Sequence, residues 1–287
     1  MKWIELLVVG LVGLATSLAL IPIILRASHR YGLGNRAREG HHTHQIPVSR
    51  LGGLAFTGAL AAVVAVSIFL EPNFLGENQR WLIIASSLTM FGLGLWDDLC
   101  ALGAGRKFLG QIVIASATYF CGIGIAHFRG PFTDQIELGL WGWPITVFWL
   151  VALTNLINLI DGVDGLAGGI CVMPLLLLSY VSWQGGFVPL ITVGMVGALL
   201  GFLRFNFPPA RIYMGDGGAY FLGFLIGCLT IVTSQKGTII AALTAPLLVL
   251  ALPIIDTALA ILRRGLRGLP LFRPDRSHLH HRLLESV

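Results

Sequence analysis

Long apolar runs separated by short polar breaks dominate the chain. They fall at roughly residues 3–25, 51–70, 81–96, 107–127, 143–160, 166–183, 187–205, 217–233 and 238–262. A helix needs about 20 apolar residues to cross bilayer hydrocarbon. The pattern therefore predicts an all-α polytopic membrane protein with nine, or about nine to ten, transmembrane helices. Gly and Pro inside several runs are ordinary for packed membrane helices. Gln184-Gly185-Gly186 reads as a tight helical hairpin turn. The first run is long enough to span and Lys2 is the only charged residue before it, so it reads as a retained helix. No polar stretch is long enough for a soluble module, so residues 1–287 form a single integral-membrane domain.

Composition agrees: 55% of residues are hydrophobic, 11% are charged, and mean hydropathy is +0.82. Soluble domains carry about 25% charged residues. A net charge of +5 raises nucleic acid as a partner, but the positive residues are scattered among apolar spans and report topology instead. Arg26, Arg30, Arg36, Arg38, Arg50, Arg106, Lys107, Arg204, Arg211, Arg263, Arg264, Arg267, Arg273, Arg276 and Arg282 fall in one set of loops. Lys2, Arg80, Arg129 and Lys236 fall in the other. That bias puts the first set in the cytoplasm, the N-terminus outside and the C-terminus inside. The four cysteines are isolated, with no CxxC pair, which argues against disulfides and zinc.

The acidic residues sort by side. Asp97, Asp98, Asp161, Asp164, Asp216, Asp256 and Asp275 map to the cytoplasmic half, whereas Glu5, Glu71, Glu77 and Glu137 map outside. Carboxylates near hydrocarbon are costly and mark function. Several on one face point to a hard divalent cation and a phosphate-bearing substrate. Asp97-Asp98 closes one apolar run and is followed by Lys107. The plain alternative is a solvated pair, yet carboxylates at a helix C-terminus oppose its dipole. Asn155, Asn158 and Asp161 step by three down an apolar helix, which Gly162 can end in a left-handed conformation. Asp164 can cap the next helix and Asn158 can bond between helices, but those roles leave other polar groups in this segment unexplained.

Gly215-Asp216-Gly217-Gly218 opens a helix, where backbone N–H groups can meet a phosphate and Asp216 can offer a metal ligand. An N-cap is the plain alternative. His278, His280 and His281 follow Arg276 in a basic C-terminal element suited to a diphosphate or sugar. A tail lying on anionic membrane lipid is the competing account. His41, His42 and His44 read as a solvated loop, and Asp256 as a buried partner of nearby cations.

Together the segments Ile46 to Gly53, Trp96-Asp97-Asp98, Asn155 to Gly165, Met214-Gly215-Asp216 and Pro270 to His281 resemble the polyprenyl-phosphate N-acetylhexosamine-1-phosphate transferases (glycosyltransferase family 4). These enzymes start bacterial surface polysaccharides, in cell wall and lipopolysaccharide, on a lipid carrier. The ending Arg273 to His281 is similar to the branch acting on UDP-N-acetylhexosamines. The resemblance implies a bacterial inner-membrane enzyme with its site facing the cytoplasm. It implies Mg2+, with Mn2+ as an alternative, the partners undecaprenyl phosphate and a UDP-N-acetylhexosamine, and is compatible with a homodimer. It carries Asp97 over as base for the lipid phosphate. Asp98 and Lys107 position that phosphate, and Asp216 with Asp98 holds the metal. Asp161 and Asp164 complete the catalytic set. Asn155, Asn158, Asp164, Arg276, His278, His280 and His281 contact substrate.

Two other classes compete. An ion-coupled transporter also uses intramembrane carboxylates, but its sites lie near the midplane and these cluster at one edge. A CDP-alcohol phosphotransferase needs DGxxAR followed by GxxxDxxxD, whereas Asp161-Gly162 is followed here by Val163-Asp164-Gly165.

Overall fold

The computed structural model describes residues 3–33, 48–71, 73–128, 136–183 and 186–235. These form eight α-helices: α1 Trp3–Tyr31, α2 Gly53–Leu70, α3 Asn78–Cys100, α4 Ala104–Phe120, α5 Gly142–Ile160, α6 Leu166–Val181, α7 Phe187–Asn206 and α8 Gly215–Gln235. One small antiparallel ladder joins β1 His127–Phe128 to β2 Ile136–Glu137, pairing His127 with Glu137. Among the described residues the regular structure is otherwise helical, apart from one isolated bridge. Six helices, α1, α2, α3, α5, α7 and α8, are long and apolar enough to cross a membrane. The expected nine to ten are therefore not all found among the described residues. At 17 and 16 residues, α4 and α6 fall short. The run at 238–262 lies outside the described residues.

Local chemistry sets the helix ends. At the end of α1, Gly32 takes φ +64° and the Leu33 N–H returns to the Ser28 carbonyl at 3.2 Å. This left-handed cap satisfies a terminal carbonyl. The α1–α7 contact is the most extensive in the bundle and is made by small residues. A Cβ added to Gly13 would strike the Gly194 carbonyl, and one added to Gly197 would strike the Gly10 carbonyl. Close backbone approach of this kind drives helix association where no hydrophobic force acts between helices.

At the centre stands α8, packed chiefly on α3 and α5 and touching α2 and α6. Every residue from 217 to 234 is buried. By contrast, only Gln111, Ala115 and Thr118 are buried on α4. The C-terminal ends of α3, α5 and α7 meet the N-terminal ends of α2, α4, α6 and α8 at one end of the bundle. At the other end Trp3 packs on Trp183, with ring centroids 4.2 Å apart. There Arg80 donates to the Asn73 and Phe74 carbonyls, each at 2.9 Å.

Candidate active site

Lys107 Nζ lies between two carboxylates. It forms an ion pair with Asp97 Oδ2 and another with Asp216 Oδ2, the latter at 2.8 Å. Asn158 Nδ2 donates to the other Asp216 oxygen at 2.9 Å. The three charged side chains are 24%, 11% and 14% exposed, in the order Lys107, Asp97, Asp216. Asp97 sits in the last turn of α3 and Lys107 near the start of α4. Each charge thus opposes its own helix dipole, so neither helix gains from it. The turn between them is built on Asp97. Its carbonyl accepts the Ala101 N–H at 2.9 Å, with Ala101 left-handed at φ 47°, and its Oδ1 accepts the Leu102 N–H at 2.6 Å.

Asp98 has a different task. Its Oδ1 accepts the Asp216 N–H at 3.0 Å and its Oδ2 the Gly217 N–H at 2.8 Å. A carboxylate from α3 therefore caps α8 and occupies the position that the sequence reserved for a phosphate. The expected phosphate cradle at Gly215–Gly218 is closed at both of these N–H groups. Gly215 makes the approach possible: at φ +74° it is left-handed, and a Cβ there would strike the Arg50 carbonyl and lie 2.7 Å from Asp98 Oδ2. A short parallel bridge of Ser49 with Ile212 pins the same corner. Gly52 and Gly53 N–H groups donate to the Tyr213 and Met214 carbonyls, both at 3.0 Å. The Val48 to Gly53 segment is thus a brace for α8.

The Asn155–Gly165 segment divides. Asn158 joins the cluster. Asn155 turns to α4, donating to Gln111 Oε1 at 2.6 Å and to the Val151 carbonyl at 2.8 Å. Asp161 ends α5, its N–H reaching the Ile157 carbonyl at 3.2 Å. The left-handed residue in the following turn is Gly165, at φ +75°, whereas Gly162 was expected to take that role. Asp164 Oδ2 accepts the Ala210 N–H at 2.9 Å, fastening this turn to the α7–α8 loop. Buried Asn206 adds a second tie, accepting from the Gly165 N–H at 3.0 Å and donating to the Ile212 carbonyl at 2.8 Å.

The structure therefore brings together Asp97, Asp98, Lys107, Asn158 and Asp216, from α3, α4, α5 and α8. Asn155 and Asp164 point to other partners. Arg276, His278, His280 and His281 lie outside the described residues, as do His41, His42, His44, Asp256 and Asp275.

Residues 80–234, more than half of the chain, match the family described as Glycosyl transferase family 4. The chain belongs to glycosyl transferase family 4. It is 37% identical to the "Probable undecaprenyl-phosphate N-acetylglucosaminyl 1-phosphate transferase" of Bacillus subtilis (strain 168), over 99% of this chain and 78% of the relative. It is 34% identical to the "Decaprenyl-phosphate N-acetylglucosaminephosphotransferase" of Mycobacterium tuberculosis (strain ATCC 25618 / H37Rv), over 98% of this chain and 76% of the relative. Similarity to a "Phospho-N-acetylmuramoyl-pentapeptide-transferase" of Desulforudis audaxviator is weaker, at 28% over 81% of this chain and 78% of the relative.

This glycosyl transferase family 4 chain also uses residues that the sequence reading passed over. Gln111 is fully buried; the available signal was a lone amide in an apolar run, which costs as much there as Asn155 does. Asn206 carried a similar signal at the end of α7.

Proposed function

We infer that this chain transfers N-acetylhexosamine 1-phosphate, most simply N-acetylglucosamine 1-phosphate, from its UDP-sugar to a polyprenyl phosphate such as undecaprenyl phosphate. A lipid phosphate oxygen forms a bond to the sugar-side phosphorus, the bond to the UMP oxygen breaks, and UMP leaves with that electron pair. The products are polyprenyl-diphosphate-sugar and UMP. The observation that carries this reading is the sharing of Lys107 between Asp97 and Asp216 at one end of an apolar bundle, in a chain of this family.

The donor set fits Mg2+, with Mn2+ as its substitute. Two carboxylates share one lysine and a third, Asp98, accepts the N–H groups of Asp216 and Gly217 beside them; all the anionic donors are hard oxygens. Among the described residues no group of three or more acidic, His or Cys side chains is placed to hold a metal ion by itself. Mg2+ rarely needs such a group, since it takes one or two carboxylates with water and substrate phosphate. Asp216 with Asp97 would hold it, because their shared partner is a lysine side chain that can yield to a cation, whereas buried Asp98 accepts two backbone N–H groups at the start of α8. When bound, the metal would neutralise charge on the diphosphate. Lys107 attracts the lipid phosphate, Asp97 accepts its proton, and Asn158 fixes the Asp216 rotamer. Asp161 borders the nucleotide side, while Arg276, His278, His280 and His281 serve the diphosphate and sugar. Asp164 contributes by fastening the α7–α8 loop.

Attack by the lipid is direct in this scheme. Enzyme given Mg2+ and UDP-N-acetylglucosamine without polyprenyl phosphate should release no stoichiometric UMP. A burst equal to the enzyme concentration would establish instead a phosphosugar on an aspartate.

We place the site on the cytoplasmic side of the inner membrane. Arg26, Arg30, Arg50, Arg106, Lys107, Arg204 and Arg211 belong to the site's end and Arg80 to the other. Two native cysteines report on this, because Cys100 and Cys121 are exposed at opposite ends while Cys171 and Cys228 are buried. A membrane-impermeant maleimide should label Cys121 in intact cells and reach Cys100 only after permeabilisation. Labelling of Cys100 alone from outside would reverse the orientation.

A further inference from the structure

Lys107 is carried by the helix least anchored in the bundle. Of the residues on α4 only Gln111, Ala115 and Thr118 are buried, and Thr118 Oγ1 donates to its own helix at the Ile114 carbonyl, 2.8 Å away. Ala115 offers no polar bond. Trp143 Nε1 reaches Ser116 Oγ at 3.2 Å, but on the exposed side. Gln111 is different. It is fully buried, stands four residues after Lys107 and so on the same helix face, and accepts from Asn155 Nδ2 at 2.6 Å. A return contact from Gln111 Nε2 to Asn155 Oδ1 is longer, at 3.5 Å. Asn155 in turn stands three residues before Asn158, on one face of α5. Two rungs therefore join α4 to α5. One is Lys107–Asp216–Asn158, made through α8, and the next turn supplies Gln111–Asn155 directly.

We propose that Gln111 is a positioning residue: bonded to Asn155, it fixes the rotation and height of α4 and so holds Lys107 Nζ between Asp97 and Asp216. A buried amide is bound to seek a partner. Asn155 offers the complementary amide, and its own second bond to Val151 holds it still. Without that rung α4 keeps, besides the Lys107 ion pairs themselves and the exposed Trp143–Ser116 bond, apolar contacts that do not select one register by direction. The inference rests on the role given above to Lys107, and the experiment separates the two.

Turnover is measured as UMP release from UDP-N-acetylglucosamine with undecaprenyl phosphate, for purified protein that remains monodisperse in detergent. Gln111→Leu should lower kcat about 10- to 100-fold, as supporting-residue losses do, with KM for the nucleotide sugar changed less than about 2-fold. In a Lys107→Met background the same substitution should cost less than about 3-fold, because its effect runs through the missing lysine. The exchange Gln111→Asn with Asn155→Gln preserves the summed side-chain length and should recover activity lost in either single variant. An undiminished kcat in Gln111→Leu would overturn the proposal, as would the full loss repeated in the Lys107→Met background. So would an exchange variant no better than the singles, or failure of all these variants to fold. Normal turnover by Lys107→Met alone would instead refute the role of Lys107 itself.

Discussion

Asp216→Asn should lose UMP release by about 100- to 1,000-fold or more while still folding. Asp216 accepts from Lys107 on one oxygen and from Asn158 on the other. Asparagine keeps one acceptor, so Asn158 retains its bond. The new amide NH2 then faces the Lys107 ammonium, donor against donor, and leaves that charge to Asp97 alone. Removing one partner of a largely buried ion pair exposes the other to its full desolvation cost. The position also loses half of the charge proposed to hold Mg2+. Initial rates over a wide Mg2+ range, alongside thermal melts in detergent, provide the measurement. Near-wild-type turnover at ordinary Mg2+ would make Asp216 no more than a structural partner of Lys107 and Asn158.

A different signature belongs to Asp98. Asp98→Ala leaves the Asp216 and Gly217 N–H groups buried without their acceptor, at a cost of about 1–3 kcal/mol for each. A clear fall in melting temperature should therefore accompany the loss of activity. Asp98→Asn should fall between wild type and Asp98→Ala, since one carbonyl oxygen still accepts while its NH2 meets the second N–H. Stability and rate are expected to decline together across this pair, whereas Asp216→Asn reduces rate far more than stability. An Asp98→Ala protein with unchanged melting temperature and lost activity would shift Asp98 from capping α8 to contacting substrate or metal.

The helices were legible because apolar length is a one-dimensional property. Each of the first eight runs contains a helix, and the ends differ where polar residues extend one. Asp97 and Asp98 remain helical in α3, and Gly215 and Asp216 already belong to α8. In the other direction, α4 stops at Phe120 because Gly122 turns the chain at φ +109°. The cluster was partly legible, since carboxylates at a membrane edge stand out by cost alone. Division of labour within it was not. Adjacent residues on a helix point about 100° apart, so Asp97 and Asp98 face different neighbours, and no local pattern states which faces Lys107 and which the start of α8. Gln111 escaped notice for the same reason. Its meaning lies across α4 and α5, in a pairing 44 residues apart in sequence.

The ion pair between Lys107 and Asp216 joins helices with opposite relations to the bilayer. Along α8 no residue from 217 to 234 is open, so hydrocarbon does not touch that helix. Of the 17 residues of α4, eight are exposed and only three buried. Hydrophobic mismatch tilts or stretches helices at a cost of fractions of a kcal/mol per Å, and that load falls on α4 directly but reaches α8 only through its neighbours. Membrane thickness thus pulls on the lysine side of the pair while the aspartate side stays fixed. Turnover is therefore expected to change with acyl-chain length through one thin helix, which UMP release measured in vesicles of differing chain length checks.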